Sequence, residues 1–286
     1  MDKVIRVGAR GSKLSFVQAK KVLEILNKKG FKTEFIPVKT RGDVERDKPL
    51  FKMTGVGIFV KEIERKILEG EIDIGVHSAK DVPTRIEEGL EIICYLKRES
   101  PYDALLSHVN SIYELKEKSI VGTSSIRRRE FLLEKRSDLT IKDLRGNIDT
   151  RIKKWERGEY DAIVISEVAI KRLNLNVPYV ILDIEEFPPS PGQGAICIEC
   201  RRDFIYRDVL KEINDEKTFL EVETERELLS KLSIGCSVPF GAFAYIENGE
   251  INLIVKYKKG NKFIKIKEKG KTKEELIKKV YEKLFQ

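Results

Sequence analysis

Short apolar runs alternate with amphipathic segments along most of the chain. In the first hundred residues, four apolar runs predict strands, at residues 4–8, 34–38, 72–76 and 91–96. Helices are predicted between them, and Gly30 and Gly70 stand where a helix would end. A second series of the same kind begins near Ser119 and continues to about Leu173. The repeated order of strand and helix predicts two α/β units with mainly parallel sheets.

Two segments interrupt this order, residues 97–103 and residues 185–194. Two crossings indicate that the chain leaves the first unit, builds the second and then returns. A paired hinge of this kind is common in domains that close over a cleft.

The last part of the chain has a different pattern. From Thr218 a helix is followed by strands with turn signals at Asn248-Gly249 and Lys259-Gly260, and a last helix begins at Lys273. This pattern predicts a small α+β domain with hairpins. The predicted domains are therefore 1–98 with 193–215, 99–192, and 216–286.

Composition and charge narrow the possible partners. The chain has 286 residues, which is enough for two or three domains. Its formal charge is +8, which suits nucleic-acid binding, an anionic small substrate or a lysine-rich solvated surface. The lysines of residues 257–283 alternate with glutamates and fit the solvated surface. The arginines instead fall in specific loops.

Neither a membrane segment nor a metal site is predicted. No apolar run approaches the roughly 20 residues that a membrane span requires, and residues 1–10 carry no apolar signal-peptide core, so a cytoplasmic location is expected. Cys197-x-x-Cys200 could indicate zinc or redox chemistry, but AICIEC reads as a strand, in which residues three apart face opposite sides. Further zinc ligands are also scarce, so these cysteines are interpreted as structural.

Polar residues cluster where the predicted strands end. Ligands of open α/β sheets bind at that edge, where helix N-termini attract anions. Arginine binds carboxylates through paired hydrogen bonds, so this cluster predicts a ligand with several acidic groups. The alternative is that individual arginines cap helices or pair with glutamate. The residues concerned are Arg10, Ser12, Lys80, Asp81, Thr123, Ser125, Arg127, Arg128, Arg145, Asn147 and Arg151.

Three further residues have an ambiguous sequence context. Asp81 follows an apolar strand and would ordinarily be a turn residue, but a cleft lined with arginines needs one group that moves protons. Cys236, in Gly-Cys-Ser-Val-Pro, is either a reactive attachment point or an idle small residue. Phe59 is either a core residue, which the sequence favours, or a ring that stacks on a flat ligand.

Together these segments resemble the hydroxymethylbilane synthase family, also called porphobilinogen deaminase. The resemblance extends over nearly the whole chain, in the same order. Its motifs are RVGARGSKLSFVQA (6–19), TRGD (40–43), GIFVKEIE (57–64), DIGVHSAKDVPT (73–84), VGTSSIRRR (121–129), LRGNIDTR (144–151), GQGAICIECR (192–201) and GCSVP (235–239). The fold that it implies is α/β, with two hinged periplasmic-binding-protein-like domains and a small C-terminal α+β domain.

The resemblance implies a transferase of tetrapyrrole biosynthesis. Four porphobilinogen molecules would be joined into linear hydroxymethylbilane, with ammonia released at each step. A dipyrromethane cofactor would be held by a thioether to Cys236. Asp81 would protonate the departing amine and stabilise the cationic azafulvene-like intermediate.

The family's binding residues carry over by position. The cofactor-binding set that the resemblance implies is Cys236, Lys80, Ser12, Thr123, Ser125, Arg127, Arg128, Arg145 and Arg151. The substrate-binding set is Arg10, Arg145, Arg151, Arg172 and Phe59. The implied partners are porphobilinogen and the growing polypyrrole chain, without metal, nucleic acid or membrane, and the implied oligomeric state is a monomer.

Two departures and two rival interpretations remain. Val56 stands where many family members have lysine, and the third domain is short. A solute-binding protein would suit the paired domains but would need neither Asp81 nor an attached Cys236. A nucleic-acid binder would interleave aromatic side chains with exposed basic residues, whereas Trp155 is the only tryptophan.

Overall fold

The computed structural model describes residues 4–39, 60–234 and 238–285. The chain divides into two compact units, Met1–Glu99 with Gly194–Leu220 and Ser100–Gln193 with Glu221–Gln286. Within the described ranges, no helix is long and apolar enough to cross a membrane. The predicted α/β class with a small C-terminal sheet domain is confirmed. The three predicted domain boundaries stay a prediction.

The first unit contains a five-stranded mixed sheet. Its strands are β1 (Val4–Arg10), β2 (Lys32–Val38), β3 (Ile74–Ser78), β4 (Leu90–Tyr95) and β10 (Ile196–Arg201). Their order is β2-β1-β3-β10-β4. β1 is parallel to β2 and β3, whereas β10 is antiparallel to both β3 and β4. Four of the five strands therefore run in the same direction, as the predicted mainly parallel sheet requires, and only β10, which belongs to the returning chain, runs in the opposite direction.

Helices cover the sheet of the first unit with their apolar faces. The helices of this unit are α1 (Lys13–Lys28), α2 (Lys61–Leu68) and α6 (Arg207–Lys211), with a 3-10 turn at Ala79–Asp81. Val22 and Leu26 of α1 are fully buried against β1 and β3. Gly30 follows α1 with φ +87°, a conformation that a residue without Cβ adopts at little cost. The predicted end of this helix is confirmed.

A polar cluster lies inside the first unit. It joins Glu64 of α2, His77 of β3 and Glu199 of β10, all of which are buried. His77 Nε2 lies 3.1 Å from Glu199 Oε2. Gly75 makes room for this contact, because a Cβ there would come within 2.8 Å of His77 Nε2 and 2.7 Å of Ile63 Cγ2. Burial, followed by the negative charge of Glu199, raises the pKa of Glu64 to about 7.

Replacing Glu64 by glutamine is expected to increase the free energy of unfolding at pH 8 by about 2–3 kcal/mol. The folded protein keeps the Glu64 proton until about pH 7, whereas the unfolded chain releases it near pH 4.5. The wild-type protein therefore loses stability as the pH rises through this window, and the variant does not. Denaturant unfolding at pH 4.5, 6 and 8 measures the difference.

The control for Glu64 is Glu62→Gln on the same helix. Glu62 forms a surface ion pair with Arg65 at 2.7 Å, so its loss should change the unfolding free energy by less than about 1 kcal/mol at any of these pH values. A gain in stability that is the same at pH 4.5 and pH 8 would contradict the role given to Glu64.

The second unit contains a five-stranded sheet with the same mixture of directions. Its strands are β5 (Asp103–Leu106), β6 (Ile120–Gly122), β7 (Thr140–Lys142), β8 (Ala162–Ser166) and β9 (Tyr179–Ile181), in the order β7-β6-β8-β5-β9. β6 is parallel to β7 and β8, whereas β5 is antiparallel to β8 and β9. The helices are α3 (Ile126–Lys135), α4 (Ile148–Glu156) and α5 (Glu167–Arg172).

A three-stranded antiparallel sheet forms the C-terminal part of the second unit. Its strands are β11 (Phe240–Glu247), β12 (Glu250–Lys259) and β13 (Lys262–Gly270). The helices of this part of the chain are α7 (Glu216–Leu232), which belongs to the second unit from Glu221 onward, and α8 (Lys273–Phe285). Asn248 and Gly249 both have positive φ, 51° and 75°, as a two-residue type I′ hairpin turn requires. The hairpin predicted there is confirmed.

Lys256 of the C-terminal sheet contacts α3. This β12 side chain is fully buried, and its ammonium lies 4.5 Å from the centre of the Phe131 ring of α3. It also forms an ion pair with Glu134 of α3, and Lys258 forms another with Glu130. A buried cation needs such partners to offset its lost hydration. The C-terminal sheet thereby helps to hold α3, which carries Arg127 and Arg128 and which also packs Leu132 into the core of the second unit.

Candidate functional site

Arg10 and Asp81 lie at the same edge of the first sheet. Arg10 is the last residue of β1, and Asp81 ends the 3-10 turn that follows β3. β1 and β3 are neighbouring parallel strands, with Val7 opposite Ile74. Their carboxyl ends therefore meet at one edge, as ligand sites of α/β sheets require.

The turn that carries Asp81 is anchored on both sides. The backbone N–H of Ala79 donates to the carbonyl of Ala195 at 3.0 Å, and the N–H of Val82 donates to the carbonyl of Ala79 at 3.2 Å. Val82 is buried, Lys80 is half-buried and Asp81 is exposed. Asp81 thus offers its carboxylate to solvent from a fixed backbone, which suits a group that exchanges protons with a bound molecule.

Ser12 caps a helix at this edge. It is the N-cap of α1, and its Oγ accepts a hydrogen bond from the backbone N–H of Ser15 at 3.1 Å. N-cap serines are common because they satisfy a helix N–H that has no partner within the helix. The role of Ser12 in cofactor binding stays a prediction.

In the second unit, hydroxyl groups shape the turn between β6 and α3. Ser125 is the N-cap of α3, and Thr123 Oγ1 accepts from the N–H of Ser125 at 3.2 Å. Ser124 Oγ donates to the carbonyl of Leu144 at 2.8 Å, which ties this turn to the chain segment after β7. The strands β6, β7 and β8 are parallel, so the turns after them lie at one edge. The first turn of α3 thus presents backbone N–H groups at that edge.

Arg127 and Arg128 share one buried carboxylate. Arg127 Nη1 lies 2.8 Å from Asp103 Oδ2, and Arg128 Nη2 lies 2.7 Å from Asp103 Oδ1. Burial alone would raise the pKa of Asp103, but the charges of Arg127 and Arg128 outweigh it and hold that pKa below its usual value. Two cations against one anion leave a net positive charge, so the pair can still attract an acidic ligand.

The contact with Asp103 is internal ion pairing, which is the alternative to ligand binding for these arginines. Arg127 also donates to the carbonyl of Pro188 at 2.9 Å, and Arg128 to that of Val164 at 3.1 Å. Their binding of ligand carboxylates stays a prediction. Asp103 itself was missed, although an acidic residue that opens the apolar run Ala104–Leu105–Leu106 is a usable signal of a buried ion pair.

Three further arginines of the predicted set are half-buried in the second unit. Arg145 precedes Gly146, whose φ is +108°, and Arg151 Nε donates to the Gly146 carbonyl at 2.8 Å. Arg172 is the last residue of α5, and burial lowers its pKa to about 10. An anion placed beside Arg172 would offset that burial. These features fit a ligand with several carboxylates better than a neutral one.

The described cysteines are poor attachment points. Cys94, Cys197 and Cys200 are free and buried, as the structural interpretation predicted for the last two. Burial raises the pKa of Cys94 and of Cys200 to about 12, so that their thiolates are scarce at neutral pH. Cys236 and Phe59 lie outside the described residues. Within the described ranges, no group of three or more His, Cys, Asp or Glu could hold a metal ion.

Comparison with protein families gives two matches that together cover most of the chain. Residues 5–205 match the family described as porphobilinogen deaminase, dipyromethane cofactor binding domain. Residues 219–286 match the porphobilinogen deaminase C-terminal domain.

Curated relatives agree with these matches. A probable porphobilinogen deaminase of Picrophilus torridus is 45% identical over 84% of this chain and 85% of the relative. The porphobilinogen deaminase of Caldicellulosiruptor saccharolyticus is 41% identical over 94% of this chain and 93% of the relative. A probable porphobilinogen deaminase of Sulfurisphaera tokodaii is 44% identical over 92% of this chain and 90% of the relative.

Among solved structures, the similarity is more distant. An ancestral cationic amino acid solute binding protein is 15% identical, with a TM-score of 0.46 over 80% of this chain and 91% of that one. The periplasmic VFT2 domain of Bordetella pertussis BvgS is 14% identical, with a TM-score of 0.44 over 73% of this chain and 86% of that one.

Proposed function

Because the chain belongs to the porphobilinogen deaminase family, we propose that it joins four porphobilinogen molecules head to tail into hydroxymethylbilane and releases ammonia at each addition. The observation that carries this proposal is the pair of family matches, over residues 5–205 and 219–286. The reaction belongs to tetrapyrrole biosynthesis. Each porphobilinogen carries an acetate and a propionate, so the growing chain accumulates negative charge.

Each unit has cationic residues that can hold such carboxylates. Arg10 and Lys80 stand at the sheet edge of the first unit, and Arg145 and Arg151 follow β7 in the second. In our proposal, these side chains hold carboxylates through charge-assisted hydrogen bonds, which are about twice as strong as neutral ones. The arginine pair 127 and 128 adds the positive charge that Asp103 leaves uncompensated.

Asp81 is the proposed acid of the reaction. Its carboxyl group would give a proton to the amine that leaves porphobilinogen, and the resulting carboxylate would stabilise the cation that remains. The exposed position of Asp81 on an anchored turn supports this role, because the group is both accessible and held in place. An attacking pyrrole carbon would then neutralise the cation and lose its own proton.

We propose that Cys236 holds a covalent dipyrromethane cofactor through a thioether. When bound, this group supplies the pyrrole with a free α-carbon at which elongation begins. The chain has four cysteines, and the other three are buried. The cationic donors described above fit the acidic side chains that a dipyrromethane made from porphobilinogen would carry.

Native mass spectrometry of the purified protein tests this proposal. The expected mass exceeds that of the polypeptide by two pyrrole units, and the excess should vanish in Cys236→Ser. Cys197→Ala is the matched control, since Cys197 is buried in β10, and it should keep the excess. A folded, freshly made wild type that stays at the polypeptide mass even after porphobilinogen is added would contradict both the cofactor and the reaction. An excess that survives in Cys236→Ser would place the attachment elsewhere.

We further propose that the protein acts in the cytoplasm as a monomer, without nucleic-acid or membrane partners. Cys94, Cys197 and Cys200 are buried free thiols, and free thiols are usual in proteins of reducing compartments. The same native spectrum tests the monomer, whose polypeptide mass is 33.0 kDa. A dominant species at twice this mass would contradict it.

A further inference from the structure

Gln193 joins two distant segments of the second unit. It lies in the Gly-Gln-Gly segment and is fully buried. Its Nε2 donates to the carbonyl of Pro101 at 2.7 Å and to Asp103 Oδ1 at 2.9 Å. Pro101 and Asp103 belong to the segment where the chain enters β5. One amide side chain therefore connects the two segments at which the sequence pattern was interrupted.

The same carboxylate organises the arginine pair. Asp103 Oδ1 accepts from both Gln193 and Arg128, whereas Oδ2 faces Arg127. If the carboxylate rotated, its oxygens would be shared differently between the two guanidinium groups. The amide of Gln193 favours one orientation without changing the charge of the cluster, because an amide N–H is a neutral donor. Each arginine thus keeps a fixed partner oxygen.

A second buried carboxylate extends this network. The backbone N–H of Gly192 donates to Glu225 Oε2 at 2.6 Å, and Glu225 Oε1 accepts from the N–H of Ala244 at 2.8 Å. Glu225 belongs to α7 and Ala244 to β11, and Glu225 is fully buried. The residue pair Gly192 and Gln193 therefore lies between Glu225 on one side and Asp103 on the other.

We propose that Gln193 is a positioning residue for the carboxylate-binding arginines. By fixing the orientation of Asp103, it keeps Arg127 and Arg128 in the geometry that binds acidic ligands, and Glu225 holds the backbone from which Gln193 extends. This inference rests on the proposed function. Gln193 touches no reacting atom in this assignment, so its loss should weaken binding more than it slows proton transfer by Asp81.

Gln193→Met tests the inference, because methionine has a similar length and no donor. We expect the KM for porphobilinogen to rise about tenfold, the effect of losing a hydrogen bond to a charged group, while kcat changes by less than about threefold. The dissociation constant for citrate, used as a polycarboxylate probe in calorimetry, should also rise about tenfold. The citrate measurement does not depend on turnover. A wild type that binds citrate but makes no hydroxymethylbilane would overturn the proposed function alone.

Two further variants, one at Glu225 and one control at Glu221, complete the test. Glu225→Gln should raise the KM for porphobilinogen and the citrate dissociation constant about threefold, because it weakens the hydrogen bond from the Gly192 N–H. This variant replaces Gln193→Met in the test if Gln193→Met does not fold. Glu221→Gln is the matched control. Glu221 is also buried on α7 and accepts from β11, through the N–H of Ile246 at 3.1 Å, so both constants should stay within about twofold of wild type.

Unchanged KM and citrate affinity in a folded Gln193→Met would overturn the inference, as would a loss confined to kcat. If Glu225→Gln and Glu221→Gln raised the two constants equally, the effect would come from destabilising α7 in general. That result would overturn the extension of the network to Glu225. Raised constants in Gln193→Met and Glu225→Gln, but not in Glu221→Gln, would support it.

Discussion

Replacing Asp81 by asparagine is expected to lower kcat by about a thousandfold, because the variant has no acid to protonate the departing amine. Asparagine keeps the size and polarity of the side chain. Asp81 is exposed on a 3-10 turn whose backbone bonds come from Ala79 and Val82, so the free energy of unfolding should change by no more than about 0.5 kcal/mol. The measurement is the rate of ammonia release at saturating porphobilinogen, together with denaturant unfolding.

The matched control is Asp203→Asn in the same unit. Asp203 is also an exposed aspartate, and its 2.9 Å ion pair with Arg201 lies on the surface. This variant should retain at least about half of the wild-type kcat. Turnover near that of wild type in Asp81→Asn would rule out Asp81 as the acid. A loss accompanied by a large fall in stability would instead mean that the turn depends on its carboxylate.

Replacing Asp103 by asparagine is expected to lower the free energy of unfolding by about 3–5 kcal/mol, because two buried guanidinium groups would then face a neutral amide. Asp103 is 1% exposed, and Arg127 and Arg128 are 5% and 6% exposed, so little water reaches the cluster to compensate for the missing charge. Since the pKa of Asp103 is lowered in the folded protein, its contribution to stability is present above about pH 4 and is lost as the pH falls further. Denaturant unfolding at pH 7 measures the loss.

Asp138→Asn is the control for this effect. Asp138 pairs with Arg136 at 2.7 Å, but its side chain is 35% exposed, so the expected loss is a small fraction of that in Asp103→Asn. Equal losses in the two variants would mean that burial adds nothing to the Asp103 cluster. A stability of Asp103→Asn equal to that of wild type would contradict the ion pairing itself.

Local signals in the sequence predicted most helices and hairpins. Helix α3 (Ile126–Lys135) falls within the second predicted series of strands and helices, and Ser125 is its N-cap. Local signals do not predict which strands pair when those strands are far apart in the sequence. The sequence of β10 (Ile196–Arg201) does not indicate that this strand pairs with β3 and β4. The neighbours of a strand depend on side-chain packing across the whole unit.

The candidate site was predictable in its residue types and only partly in its contacts. The position of Arg10 and Asp81 at one sheet edge follows from the rule for strand ends. The sharing of Asp103 by Arg127 and Arg128 does not, because it links residues 24 and 25 positions apart through space. Ser12 and Ser125 could have been recognised as helix caps, since each stands directly before a predicted helix.

The position of β10 in the first sheet has a consequence for synthesis on the ribosome. The strands β5 to β9 of the second unit are consecutive in the chain and are complete once Ile181 has been made. The first sheet needs β10, at Ile196–Arg201, between β3 and β4, so it cannot close until the sheet of the second unit has been translated. The amino-terminal third of the chain must therefore wait, with β3 and β4 lacking their shared neighbour, for a strand that is encoded about a hundred codons downstream of β4.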